Sequence, residues 1–414
     1  MDTSKTYQQV SKKLFVWAWI LGLIFYFIDY ATRSAPSLMI TDLANLYSIP
    51  KPDVISLVGS YYYTYAICGL IAGILLDKLG ARFSMFAGCF ILGVGCVIFV
   101  VASSFVGETG RLLQGAGSAF AFPGCVYLIS KGFSKKHLAT AIGFTQCIGM
   151  LGGAAGQFLV APMLENGFSF KEFWVISGIL CIIPAIALLF VTPKTSKEER
   201  QNSRKTSLLE PFKIIFKNKN SWLTGIISGL LFVPTTVFVM TWAVPYFKLD
   251  LGYDPHSAAM TVAMASLGWV VGCPLMGVLT DKIGLRKPVI LLGCFGMVIM
   301  LLQLLYMPNL MIPKATLFIF GIFSGVAMIP YSVIKEANPD EVKGSATGVQ
   351  NFLTFGVTSI LGPLFANILG NDLIDVTDKI EHFNQSVWFW IIGIILASLL
   401  TLFLKETGEK AISK

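Results

Sequence analysis

One short pattern occurs twice in this chain, and the duplication restricts its possible folds more than any other feature. Gly73-Ile-Leu-Leu-Asp77-Lys78-Leu-Gly80-Ala-Arg82 returns 204 positions later as Gly277-Val-Leu-Thr-Asp281-Lys282-Ile-Gly284-Leu-Arg286. Each copy follows a long apolar run and precedes another. Each has the chemistry of a tight turn between membrane helices: small glycines where helices touch, an Asp just beyond a helix end, and a basic residue one turn into the next. A repeat of this kind inside apolar sequence reads as two related halves of a membrane protein.

Composition supports that solvent. Of 414 residues, 55% are hydrophobic and only 13% charged, with a mean hydropathy of +0.72, so a water-soluble fold would have too little polar surface to cover itself. The eight cysteines all fall in apolar runs and read as small packing residues rather than a disulfide framework. His137, His256 and His382 lie near loops without metal-ligand spacing, no Ser-His-Asp or Cys-His set can be assembled, and no Walker-type phosphate loop is present. The reading is therefore no metal, no cofactor and no enzyme, with energy drawn from a gradient rather than from ATP hydrolysis.

Twelve apolar runs lie near residues 14–46, 54–77, 83–104, 107–131, 138–163, 171–192, 222–248, 256–280, 287–307, 312–334, 343–370 and 385–405. Each is long enough, at roughly 20 residues per crossing, to span the hydrocarbon layer. The polar lead ends in Lys12-Lys13 without a cleavable signal pattern, so the first run is expected to be a retained helix. The expected organisation is all-α: a six-helix bundle over 1–192, a basic linker over 193–220 and a second six-helix bundle over 221–414. The linker carries eight Lys or Arg against three acids. It reads as a solvated cytoplasmic connector in preference to a phosphate or nucleic-acid site. With both termini inside, 24 of the 31 basic residues face the cytoplasm, five lie outside and Arg33 and Arg111 lie within the membrane, as the positive-inside rule requires. The net charge of +8 is thus a sum over opposed faces and implies no nucleic-acid partner.

These features together resemble the major facilitator superfamily of transporters over nearly the whole chain. The family's turn pattern, G-x-x-x-D-[RK]-x-G-x-R, matches at Gly73, Asp77, Lys78, Gly80 and Arg82 and again at Gly277, Asp281, Lys282, Gly284 and Arg286. The fourth run adds Arg111-Leu-Leu-Gln114-Gly115-Ala-Gly117. The repeat also continues beyond the turn: Gly143-Phe-Thr-Gln146 corresponds to Gly348-Val-Gln-Asn351 at an offset of 205, and Pro123 corresponds roughly to Pro330. The resemblance implies alternating access by two bundles in a lipid bilayer, a small-molecule substrate, protons as the coupling ion, a monomer, and a bacterial inner membrane. It also implies that the two turns stabilise one state of the cycle by linking the halves on the inner face. Gly149, Gly152, Gly153 and Gly156 make a flat face that serves either rocking contact or static packing.

Charges inside the bilayer are the first site candidates, because each costs several kcal/mol unless partnered or wet. Asp29 and Arg33 are four residues apart and share a helix face. They read either as an intrahelical ion pair or as a proton carrier beside a binding group for a substrate anion, and the two are compatible. Arg111, with Glu108 three residues earlier, reads as a coupling residue by resemblance or as a group bonding the end of a broken neighbouring helix. Glu336 reads as a boundary charge or an inner latch. Tyr61 and Tyr65, which share a face among four nearby tyrosines, join Gln146, Trp242, Tyr246, Gln350 and Asn351 as polar or aromatic substrate contacts. Trp388 and Trp390 read as interfacial anchors.

Direction rests on resemblance. The stretch Gly149-Met-Leu-Gly152-Gly153 lacks the proline of the antiporter pattern G-x-x-x-G-P-x-x-G-G, which favours uptake. The tyrosine-rich second run and Arg33 resemble the sugar-phosphate permease and organic anion symporter branches, although those show an Asp-Arg pair where Asp29 and Arg33 here stand a turn apart. Trp242-Ala-Val-Pro-Tyr246-Phe resembles nutrient carriers of intracellular bacteria. The expectation is proton-coupled import of a small polar or anionic solute such as an amino acid, short peptide or organic acid. Efflux of a drug, siderophore or metabolite is the alternative. A non-transporting sensor, a class expected to add a sizeable soluble extension, is the minor one.

Overall fold

A computed structural model describes residues 3–158, 160, 163, 166–194, 209–235, 243, 247, 252–307, 310–369 and 379–412. Among them all regular structure is helical. In chain order the helices are α1 (Thr3–Ser34), α2 (Ile40–Tyr47), α3 (Lys51–Gly59), α4 (Tyr61–Leu79), α5 (Ala81–Ile98), α6 (Ser104–Ser118), α7 (Ala121–Gly132), α8 (Leu138–Phe158) and α9 (Phe170–Val191). There follow α10 (Glu210–Lys217), α11 (Lys219–Val233), α12 (Pro255–Ile283), α13 (Lys287–Tyr306), α14 (Pro313–Ser324), α15 (Ile329–Glu336), α16 (Lys343–Leu369), α17 (Lys379–Phe403) and α18 (Glu409–Ile412). Nine helical stretches of the described residues are long and apolar enough to cross a membrane, and Val387–Phe403 is a shorter apolar one. Each of the twelve apolar runs coincides with one or more helices.

The breaks have local causes. The first run is two helices rather than one, because Pro36 sits in a turn of 3-10 helix over Ala35–Leu38 and offers no N–H to continue α1. The fourth run divides into α6 and α7, and the tenth into α14 and α15 around a 3-10 stretch at Gly325–Met328. The repeat-related Pro123 and Pro330 stand just beyond these breaks, each unable to donate the bond that would close the preceding turn. In both signature turns the second glycine takes a positive φ, 78° at Gly80 and 73° at Gly284, a region costly to any residue with a Cβ. The linker is not wholly extended, since α10 lies at its end.

Side chains sort as a bilayer solvent dictates. Ile183, Phe190, Phe295, Ile360 and Phe403 are all more than half exposed, an apolar surface that lipid covers. All eight cysteines are free thiols, seven of them buried. Trp390 departs from expectation: it is 1% exposed and packs against Phe365 at 4.7 Å and Phe389 at 4.8 Å, so it belongs to the core and not to an interfacial belt. Trp388 remains exposed and donates to the Tyr306 hydroxyl at 3.1 Å.

The chain forms two compact units. One comprises Met1–Ser134, Ile148–Lys217 and Asn338–Phe352; the other comprises Lys135–Cys147, Asn218–Ala337 and Leu353–Lys414. Each unit therefore takes one short segment from the opposite sequence half, around the start of α8 or of α16. Glycines permit this. In the first unit a Cβ on Gly73 would stand 2.9 Å from the Gly344 carbonyl oxygen, and one on Gly348 would stand 2.7 Å from that of Gly69. In the second, a Cβ on Gly277 would stand 2.6 Å from the Ala139 oxygen, and one on Gly143 would overlap the Cys273 carbonyl. Residues 69, 73 and 344 map onto 273, 277 and 140 at the repeat offset, so both units hold the same seam. Gly149, Gly152 and Gly156 line a further seam, against Tyr26, Phe27 and Ala31 of α1. Overpacking a seam against backbone costs typically about 1–3 kcal/mol. We expect Gly143→Ala to lower the melting temperature of the detergent-solubilised protein by several degrees, while Gly356→Ala, with no atom near its added methyl group, leaves it unchanged.

Candidate functional site

The first unit buries a charged cluster built on α1 and α4. Asp29 is 0% exposed and accepts from Arg33 Nη2 at 3.1 Å, as the i,i+4 spacing predicts. Tyr61 on α4 stands between them: its hydroxyl donates to Asp29 Oδ1 at 2.8 Å and accepts from Arg33 Nε at 3.0 Å. The Arg33 guanidinium lies over three tyrosine rings, 4.3 Å from the centroid of Tyr30, 5.1 Å from Tyr61 and 4.6 Å from Tyr65. Such cation–π contacts hold a guanidinium out of water at reduced cost. Tyr65 stacks on Tyr61 at 5.7 Å and accepts from Asn351 Nδ2 of α16 at 3.1 Å. Tyr62 and Tyr63 are exposed. Among the described residues Arg33 Nη1 makes no hydrogen bond, so one end of the fork keeps its N–H donors.

Arg111 on α6 is 1% exposed, and its bonds are those of a helix-end cap. Nη1 donates to the Thr32 carbonyl at 3.2 Å and to Gln114 Oε1 at 2.6 Å, Nη2 to the Arg33 carbonyl at 3.3 Å, and Nε to the Val58 carbonyl at 3.0 Å. The Thr32 carbonyl would otherwise accept from residue 36, which is proline. Val58 similarly precedes the break at Ser60. Arg111 thus satisfies carbonyls that two interrupted helices leave open in a medium without water. Its guanidinium also lies 4.6 Å from the Tyr61 centroid. Glu108 is exposed and does not join it.

The signature aspartates cap helices. Asp77 Oδ1 accepts from the Gly344 amide at 2.7 Å and Oδ2 from the Ser345 amide at 2.6 Å, in the first turn of α16. Asp281 Oδ2 accepts from the Thr140 amide at 2.8 Å and the Thr140 hydroxyl at 2.7 Å, in the first turn of α8. A carboxylate there satisfies orphan N–H groups and meets the positive end of the helix dipole. Each cap joins an Asp of one sequence half to a helix start of the other, inside one compact unit. The basic partners differ between copies. Arg286 pairs with Asp281 at 2.8 Å and doubly with Glu336, at 2.6 Å through Nη2 and 3.2 Å through Nε. Burial disfavours its charge, yet the bonds it donates to the Glu336 and Asp281 carboxylates outweigh that and raise its pKa above the ordinary value. Arg82 has a buried Nε with no hydrogen-bond partner among the described residues.

Of the remaining residues singled out in the sequence, Gln146 and Gln350 are buried, and Trp242 and Tyr246 lie outside the described residues. Residues that sequence reasoning missed include Tyr30, Thr140, the amides of Gly344 and Ser345, and Glu406. The last accepts from the amides of Arg286 at 2.7 Å and Lys287 at 3.2 Å and so caps α13. Tyr30 was within reach, since it adjoins Asp29 and stands three residues before Arg33.

The model of the Major Facilitator Superfamily matches residues 22–363, and the chain belongs to that family. It is 22% identical to the membrane sensor protein UhpC of Salmonella typhimurium, over 99% of this chain and 95% of that protein. It is 24% identical to a probable hexose phosphate transport protein of Chlamydia trachomatis, over 85% of this chain and 83% of that one. It is 23% identical to a D-galactonate transporter of Escherichia coli, over 84% and 88%. Among solved structures, the proton:xylose symporter XylE aligns with a TM-score of 0.71 at 14% identity, covering 97% of this chain and 99% of its own. The E. coli fucose:proton symporter FucP aligns with a TM-score of 0.71 at 11% identity, covering 94% and 99%. The fold is accordingly the twelve-helix, two-bundle membrane fold of this superfamily, and the protein is a multi-pass membrane protein. Arg111→Lys supplies one point charge where four acceptors need a planar fork, with a loss of at least about 2 kcal/mol. We expect a clear fall in melting temperature in detergent, and no fall would show that the helix ends do not need the guanidinium.

Proposed function

We propose that this chain is a secondary active transporter that imports a small anionic organic solute with a proton by alternating access. The observation that carries the reading is the Arg33–Asp29–Tyr61 triangle. In it a buried carboxylate and a guanidinium share one hydroxyl, and one end of the guanidinium has no acceptor among the described residues. An arriving carboxylate or phosphate binds at Nη1 and competes with Asp29 for the guanidinium. As that bond weakens, Asp29 becomes the buried carboxylate that takes up the co-transported proton. Loading of solute and proton are coupled by that exchange. Arg111 holds the end of α1, and with it Arg33, in place. Relatives named for hexose phosphate and D-galactonate support a sugar-derived acid or phosphate over the amino acid or peptide that sequence alone left open. The Asp77 and Asp281 caps are the contacts that break and re-form as the halves rock, and the latch on Arg286 through Glu336 holds the second one. The sequence halves 1–192 and 221–414 are the moving bodies, joined by the linker, with both termini in the cytoplasm of a bacterial cell.

A sensor is the second reading, and one observation favours it. The likeness to UhpC spans 95% of that protein, so a sensor of this fold need not carry a sizeable soluble extension. Reconstitution into liposomes separates the two. The transport reading predicts uptake of D-galactonate or glucose 6-phosphate that rises with an inward-directed proton gradient. Arg33→Lys is expected to lower that uptake about tenfold or more, because one point charge replaces a bidentate fork. Asp29→Asn should still bind solute but lose the response to the gradient. Binding without uptake in the wild type would favour the sensor, and wild-type uptake by Arg33→Lys would remove the triangle from the account. Asp77→Asn keeps the site and weakens a cap. Its solute affinity should stay near wild type while its transport rate falls, and an unchanged rate would end the gating role.

A further inference from the structure

The helix that carries Arg111 presents a stripe to α4. Arg111, Gly115 and Ser118 are spaced four and three residues apart and so share one face of α6. The Arg111 guanidinium lies 4.6 Å from the Tyr61 centroid, and a Cβ on Gly115 would overlap the Tyr61 carbonyl. Thr64 of α4 fixes the same seam by donating to the Leu112 carbonyl at 2.7 Å. The third member of the stripe, Ser118, stands beside the Tyr61 hydroxyl.

Ser118 is 1% exposed, and among the described residues its Oγ has no well-formed hydrogen bond. Helical hydroxyls often donate to a carbonyl one turn back, as Thr32 does to Ile28 at 3.0 Å and Thr145 to Ala141 at 2.8 Å. Ser118 does not, and a buried hydroxyl left unmade costs stability that alanine would not. The triangle supplies a reason for the oxygen. The Tyr61 hydroxyl donates to Asp29 Oδ1 and accepts from Arg33 Nε. Among the described residues the Asp29 carboxylate bonds only to Arg33, which is a donor alone, and to Tyr61. Once Asp29 carries a proton, the acceptor for it is therefore the Tyr61 oxygen, and the Tyr61 O–H must turn elsewhere. Ser118 Oγ, with its lone pairs unspent, is the acceptor at hand.

We infer that Ser118 is a positioning residue that accepts from the Tyr61 hydroxyl when Asp29 is protonated, and so stabilises the proton-loaded triangle. For its use in coupling the inference rests on the transport reading, which it deepens by saying how the loaded state is held once Arg33 has left the carboxylate. Only hydrogen bonds change direction; Tyr61 and Ser118 each keep their proton. Ser118 then donates to the Gln114 carbonyl one turn back, as other helical hydroxyls do. The titratable and charged neighbours of Asp29 are Arg33 of α1, Tyr61 and Tyr65 of α4, Cys96 of α5 and Cys181 of α9, with Arg111 of α6 facing Tyr61. Asp29 is the one carboxylate among them, and all of these residues lie in the first unit.

The test follows the Asp29 carboxyl by infrared spectroscopy of the full chain in liposomes across pH, its protonated band being the one that Asp29→Asn lacks. Ser118→Ala removes the acceptor that the proton-loaded state alone uses. The midpoint pH of the band should fall by about one unit, the worth of roughly one hydrogen bond. Above the midpoint the melting temperature in detergent should match or exceed that of the wild type, because no bond is lost there. In a Tyr61→Phe background Ser118→Ala should shift nothing further. An unchanged midpoint, an equal shift in the Tyr61→Phe background, a lowered melting temperature above the midpoint, or no Asp29 band while the protein stays folded would each overturn the assignment. If Ser118→Ala does not fold, Ser118→Gly makes the same comparison. Proton-driven uptake of D-galactonate and glucose 6-phosphate is measured alongside. A shifted midpoint in a protein that takes up neither would retain the hydrogen-bond switch and sink the transport reading, and an unchanged midpoint with proton-driven uptake would do the reverse.

Discussion

The contact on which most else depends is an aspartate at the start of a helix it does not belong to. Helix first turns leave several amides without partners, and those buried in protein must find acceptors there. Here the deficit is met reciprocally. The Asp of the first half serves Gly344 and Ser345, and the Asp of the second half serves Thr140. The glycine seams beside them set how near the backbones come, and the caps set the register. The interaction is strong while aligned and has short reach, because the dipole effect falls off within a turn. A small displacement therefore releases it whole, which suits the gating role proposed for it.

The duplicated architecture carries unequal chemistry. The second turn is reinforced by Glu336 on Arg286 and by Glu406 on the adjoining helix start. Among the described residues the first turn has no such carboxylate on Arg82 Nε. The charged cluster of α1, conversely, has no equivalent among the described residues of the second half, where the repeat offset carries Tyr61 and Tyr65 to Ala265 and Trp269. Duplication thus supplies two frames of one geometry, and substitution has placed the charged cluster in one of them.

Much of this was legible in the residues. The repeated turn, the apolar run lengths and the loop charges yielded the fold class, and the i,i+4 spacing of Asp29 and Arg33 predicted their pairing. A hundred-degree step per residue separated Tyr61 and Tyr65 from their exposed neighbours. What escaped has physical reasons. Asp77 bonds backbone amides 267 and 268 positions away, and no side-chain identity at Gly344 or Ser345 announces that. The partners of Arg111 are carbonyls as well, although Pro36 was visible as the reason one of them lacks a donor. Trp390 was misjudged because an aromatic near a run's end can face inward as easily as toward headgroups.

Hydrogen exchange at three amides addresses the central claim most directly. Gly344, Ser345 and Thr140 stand in first turns where the cap is their acceptor, so their protection reports whether the cap is made. The account predicts slow exchange at all three in the resting protein in liposomes. It predicts markedly faster exchange while solute and a proton gradient drive turnover, with no change at mid-helix amides of α5 or α13. Equal protection at rest and during turnover would contradict it, since the caps would then be static parts of the fold.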